Sequence, residues 1–191
     1  MTKHKVIWGG LMLLVITSLG AILGFFWGKQ KNLAHFYFGT TGGVVNVYLN
    51  GQKIGTSLIK DYQLTSGIYE LGLETDYYHY RTPIQFSPGT ATIVDWHSSN
   101  SINKSSGIIY ELYQSEQALA TLQIVSYPER AIVNLKDNSQ SYFTPIQLDH
   151  LTTGEKELTL SLPGYQTLTI PFTLTPHYLL KITAKLASDS S

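Results

Sequence analysis

The chain has 191 residues, with 13 Lys and Arg against 13 Asp and Glu, a formal net charge of +0 at pH 7, and no cysteine. Charged residues make up 14% of it, well below the roughly 25% of an ordinary globular domain. Neutrality without a basic stripe argues against nucleic acid or another polyanion as partner, and the cysteine count excludes disulfides, thiolate metal sites and a lipidated cysteine.

The first element is the uncharged stretch from Val6 to Gly28, 23 residues that are polar only at Thr17 and Ser18. As a helix it spans roughly 34 Å, enough to cross a bilayer with some tilt. Trp8 and Trp27 stand near its ends, Lys3 and Lys5 precede it, and Lys29 and Lys31 follow it, the pattern of interfacial anchoring. Residues 1–31 are therefore read as an N-terminal transmembrane anchor, with the lipid bilayer as the partner of residues 6–28. The alternative is a cleaved signal peptide with a small-x-small site at Ser18-Leu19-Gly20, but cleavage there leaves Ala21 to Trp27 as an exposed apolar stub. Flanking lysines balance, and only the amino terminus and His4 tip the excess toward the short side. This bias favours a cytoplasmic N-terminus with the rest of the chain outside, the orientation expected here, but long domains translocate largely regardless of charge, so charge alone leaves the topology open. Gly20, Gly24 and Gly28 share one helical face in two overlapping G-x-x-x-G patterns, a candidate homodimer face because small residues let helices approach closely.

After the anchor the chain repeats itself. Leu49, Gly67, Tyr77, Pro83 and Pro88 recur as Leu135, Gly154, Tyr165, Pro171 and Pro176, at offsets of 86, 87, 88, 88 and 88. This drift is what two copies of one module give after short loop insertions. The apolar period is two in both copies. Leu158, Leu160 and Leu162 alternate with Glu157, Thr159 and Ser161, and Leu168, Ile170, Phe172 and Leu174 alternate with Thr169, Pro171 and Thr173. Each run predicts a strand with one buried and one wet face. Pro171, and Pro83 at the equivalent place, cannot donate to a ladder, which puts their strands at a sheet edge or at a bulge. Asn50-Gly51 predicts a tight type I′ hairpin.

Strands this short bury their apolar faces by stacking two sheets. The fold class expected is all-β, with two tandem small β-sandwich modules after one transmembrane helix. The modules are placed at 36–96 and 119–187, with a frayed tail at 188–191, and are read as separate. A module of this size buries only about 60% of its unfolded surface and is marginal alone, so the intervening segment 97–118 becomes relevant. It opens with a polar loop, Ser98 to Gly107, and then Ile108-Ile109-Tyr110-Glu111-Leu112-Tyr113 resumes a strand-like pattern.

The second copy carries Ser126-Tyr127-Pro128-Glu129-Arg130-Ala131-Ile132-Val133-Asn134-Leu135, then Thr144-Pro145, Gly154 and Pro163-Gly164-Tyr165. This resembles the PEGA domain, a carboxypeptidase-regulatory-like β-sandwich repeat of bacterial and archaeal surface proteins, although Arg130 replaces the expected glycine. The first copy has Val47-Tyr48-Leu49-Asn50-Gly51-Gln52-Lys53-Ile54-Gly55-Thr56, similar to the family's hairpin, but it lacks the proline-glutamate pair and has Leu58 where the family shows proline. The resemblance implies fold and an extracytoplasmic setting rather than an activity.

Motifs for chemistry are sparse. Ser101-Ile102-Asn103-Lys104 matches S-x-x-K but sits in a polar linker without a helix. Asp95-Trp96-His97 and Asp149-His150 put acids near imidazoles without a relay geometry, and the histidines lack metal-ligand spacing. No catalytic residue, cofactor or metal is expected. One constellation, Tyr77-Tyr78-His79-Tyr80-Arg81, places Tyr78 and Tyr80 on one strand face. With Arg81 they form a candidate ligand contact for a sugar or peptide, against the plainer reading that one aromatic pair is core. The function expected is a non-catalytic, membrane-anchored, extracytoplasmic structural or protein-interaction module of a prokaryotic cell envelope. The alternative is recognition of glycan or peptidoglycan through surface tyrosines.

Overall fold

The computed structural model describes residues 32–189. The candidate membrane span and its glycine face, Gly20, Gly24 and Gly28, lie outside the described residues. Period-two patterning yields fifteen strands, with no helix among the described residues. The first seven are β1 (Leu33–Thr41), β2 (Asn46–Leu49), β3 (Gln52–Thr56), β4 (Leu58–Thr65), β5 (Gly67–Glu74), β6 (His79–Phe86) and β7 (Ala91–His97). After β8 (Ser106–Gln114) come β9 (Ala120–Tyr127), β10 (Ile132–Leu135), β11 (Ser141–Phe143), β12 (Ile146–Leu151), β13 (Gly154–Ser161), β14 (Leu168–Leu174) and β15 (Tyr178–Lys185).

Their pairing follows one plan twice. A seven-stranded sheet has the order β12-β9-β15-β8-β7-β1-β4, and two four-stranded sheets have the orders β3-β2-β5-β6 and β11-β10-β13-β14. In the first half β1 runs parallel to β7 and antiparallel to β4; in the second, β9 runs parallel to β15 and antiparallel to β12. The recurring residues fall at matching places. Pro83 lies opposite Glu70 on the edge strand β6, and Pro171 lies opposite Glu157 on the edge strand β14, where a missing N–H costs no ladder bond. Asn50 (φ 49°) and Gly51 (φ 79°) make the expected left-handed pair at the β2–β3 turn.

The segment between the copies is the centre of the long sheet. β8 pairs antiparallel with β7 on one side and with β15 on the other, so Asn32 onward forms one compact unit rather than two separate modules. Neighbouring residues of a strand point to opposite faces, and β8 uses both. Ile109 packs into the core of the first half with Val94, Trp96, Leu71 and Ile84. Glu111, of the same parity, accepts the Gln85 amide of β6 at 2.8 Å. On the opposite face the Tyr110 hydroxyl donates to the Pro171 carbonyl of β14 at 3.3 Å. The two small sheets therefore cover opposite faces of the long one. Strand direction is kept, lateral order is reversed and the covered face is swapped, which is a two-fold rotation about an axis along β8.

Burial explains why β8 lacks clean alternation: Ile108, Ile109, Glu111 and Leu112 are all buried, as expected of a strand covered on both sides. Elsewhere the alternation holds. Leu158, Leu160 and Ile170 are fully buried, each contributing about 1.5–3 kcal/mol of apolar transfer. The outer strands of the long sheet are blunted alike. β4 breaks register between its pairings with Phe36 and Phe38, beside Asp61 (φ 57°), and β12 breaks between Leu148 and Leu151, beside His150 (φ 59°). Such bulges twist an edge away from pairing with another chain.

Candidate functional site

Strand parity decides what the aromatic cluster can do. On β6 the buried residues are Ile84 and Phe86, so Tyr80 and the preceding Tyr78 share the core-facing parity and Arg81 does not. Tyr78 is 7% exposed; its hydroxyl accepts from Trp96 Nε1 at 2.9 Å and meets Ser98 Oγ at 2.9 Å. Tyr80 is half-buried, with its ring 4.9 Å from the Trp96 ring, and burial pushes its phenol up. Tyr78 is committed to the core, whereas Tyr80 borders the same surface cavity as Arg81. Arg81 projects from the other face and pairs with Glu70 at 3.2 Å. Of the three residues predicted from the sequence, Tyr78 belongs to the core, and Tyr80 and Arg81 meet at one cavity.

What Arg81 joins is a row that crosses three strands. Tyr48 on β2 lies opposite Gly72 on β5, and Gly72 lies opposite Arg81 on β6. Strands stand about 4.8 Å apart, so the backbones of Tyr48 and Arg81 lie about 10 Å apart, and the Tyr48 side chain leans toward Gly72, with its Cγ and Cδ2 3.9 Å from where a Gly72 Cβ would stand. The Tyr48 hydroxyl is held by Glu74, whose hydrogen bond, followed by burial, pushes the phenol up. Glu74 also lies 3.7 Å from His79 Nδ1. With Tyr80, the residues Tyr48, Glu70, Gly72, Glu74, His79 and Arg81 line a cavity of about 130 Å³ on the outer face of this sheet. In the second half Asn134, Thr159 and Thr169 occupy the same row, so a threonine stands where the first half has Gly72. Tyr48, Gly72 and Glu74 escaped the sequence reading because only the cross-strand register aligns them.

Other polar groups are structural. Ser101 Oγ accepts the Lys104 amide at 3.3 Å, closing a turn rather than meeting the Lys104 ammonium. Lys185 Nζ donates to the carbonyls of Ile102 (2.5 Å) and Ser105 (2.7 Å), tying the polar loop to the last strand, and burial lowers its pKa to about 8. Buried Glu111 pairs with Lys181 at 2.7 Å. His35 hydrogen-bonds Asp61 across β1 and β4. Burial and then the Asp61 charge push the neighbouring Tyr37 phenol up to about 12. Asp95 is raised by burial, opposed by His97. No group of three or more metal-ligating side chains is gathered among the described residues.

No curated protein significantly matches the chain. Residues 119–189 match the family model of the PEGA domain, a span that runs from just before β9 to the end of the described residues.

Proposed function

We propose that the chain is a single-pass membrane protein of a prokaryotic cell envelope. Its N-terminus is cytoplasmic, and its β-structure is an extracytoplasmic, non-catalytic scaffold that holds or spaces another envelope protein. The first half is a second, diverged PEGA-like copy, a reading supported by its identical strand connections and by the matching positions of Pro83 and Pro171. The observation that carries the scaffold reading is the shared strand β8, hydrogen-bonded to both halves. It joins into one body two modules that are each marginal alone. Anchoring is supported by the length and flanks of Val6 to Gly28.

The test has three parts. Alkaline carbonate washing should leave the protein in the membrane fraction, and intact-mass measurement should find residues 1–31 retained. Protease added to intact cells should reach the β-structure, and crosslinking followed by pulldown from membranes should recover a defined envelope partner. Extraction by carbonate would remove the anchor from this reading, and protection until lysis would reverse the orientation.

A further inference from the structure

The depression on the outer face of β2, β5 and β6 has no role in the scaffold, and its chemistry is specific enough to name a ligand class. Its floor is Gly72, where an added Cβ would lie 3.3 Å from the Tyr48 Cβ and 3.9 Å from its Cγ and Cδ2, so the absence of a side chain there leaves room for the Tyr48 ring to lean over the floor and form one side of the cavity. One wall is the phenol ring of Tyr48, which leans over Gly72 with Glu74 beside its hydroxyl. The opposite wall is Arg81, oriented by Glu70 at 3.2 Å, and His79 closes one end beside Glu74. A cavity of about 130 Å³ is well under the roughly 300 Å³ of the smallest drug-sized pockets. It takes one ring of a longer ligand.

We propose that this groove binds one neutral pyranose ring of an oligosaccharide, with the sugar's C–H face on Tyr48, its hydroxyls donating to Glu70 and Glu74, and Arg81 donating to a hydroxyl or ring oxygen. The charge pattern selects this class. The two carboxylates and the guanidinium are paired with neighbours, so the rim has no strong net field to attract an ion, yet each keeps lone pairs or N–H groups for a hydroxyl-rich partner. An aromatic face is the one apolar surface a pyranose uses well, because its axial C–H groups meet the negative π face. A flat, rigid floor is supplied by the sheet. The inference is independent of the scaffold role and of the membrane anchor, since it rests on a row that the second half replaces with Asn134, Thr159 and Thr169.

Full-length protein in detergent micelles is titrated with two neutral oligosaccharides, chitotetraose and cellotetraose, and separately with tetralysine, by calorimetry and by saturation-transfer NMR. Binding of at least one oligosaccharide is expected, with transfer strongest to ring C–H protons. Tyr48→Ala and Arg81→Ala should each weaken it by about tenfold or more, the loss expected when a stacking face or charge-assisted hydrogen bond is removed. Tyr142→Ala, on the corresponding sheet of the second half, should leave it unchanged. Both affected side chains are solvent-facing, so circular dichroism should report an intact fold. Three results overturn the proposal: no binding of either sugar, sugar binding that survives Tyr48→Ala and Arg81→Ala, or binding of tetralysine alone, which would make the groove an acidic site for a basic peptide.

Discussion

Trp96 and Gly107 face each other across the β7–β8 ladder, and the indole occupies the space that a side chain at 107 would need. The same indole donates to Tyr78 and stacks against Tyr80. Gly107→Val should therefore push Trp96 out of its seat and destabilise the fold by about 1–3 kcal/mol or more. The change is visible as a lower melting temperature and a red-shifted tryptophan emission. Gly51→Ala, at an open turn position with positive φ, should cost less and leave the emission unchanged.

Because β8 belongs to both halves, unfolding should be cooperative across the whole β-structure. Leu160 is fully buried on β13, and its neighbour Thr159 faces outward. Leu160→Glu should cost several kcal/mol for a buried carboxylate and should lower the stability of the first half together with the second. Thr159→Glu should change stability by under about 1 kcal/mol. Scanning calorimetry is expected to show one transition in each case; a first half that melts at its original temperature in Leu160→Glu would show that β8 does not couple the halves.

Lys185 gives stability a rising limb with pH. Burial holds its native pKa near 8, against an ordinary 10.5. Between these values the unfolded chain holds the proton that the native chain has released, so stability increases with pH across that window. A neutral amine still donates two hydrogens, so its bonds to Ile102 and Ser105 persist. Urea unfolding measured from pH 7.5 to pH 10 should show this rise in the wild type and a flatter profile in Lys185→Met.

Above pH 10 the sign reverses. The Tyr37 phenol is pushed from 10 to about 12 by burial and by Asp61, and burial raises Tyr110 and Tyr113 as well. In this range the unfolded chain ionises first and holds fewer protons than the native one. Stability that is complete below pH 10 is then lost as pH climbs through the native values. Tyr37→Phe should make that decline shallower, as read from the same unfolding series extended to pH 12.

Much of the fold was legible because period-two alternation is a local property. Leu158, Leu160, Ile170 and Phe172 are buried as their parity requires, Asn50-Gly51 turns as its backbone demands, and both prolines sit on edge strands. The role of Ile108 to Tyr113 was not legible, since a strand covered on both faces loses its alternation and so looks like any short apolar run. Parity also separated Tyr78 and Tyr80 from Arg81 without saying which face was wet; that follows from Ile84 and Phe86, two residues of the tyrosines' parity that the core claims. The groove depends on the register of three strands brought together by the hairpin and by β5–β6 pairing, and no single run of sequence carries that alignment.

The two-fold relation about β8 has a mechanical consequence. β1, β7, β9 and β15 all point the same way, so the chain enters the long sheet at the start of β1 and leaves it at the far end of β15. Tension applied between Leu33 and Lys185 acts along the strands and across their hydrogen bonds, sliding β1 past its neighbours instead of peeling it away. In this shear geometry the bonds of a ladder share the load and must fail together, whereas a hairpin pulled open from one end loses them singly. A sheet built this way resists stretching along its own long strands, and its weak direction is the lateral one, where β4 and β12 end it.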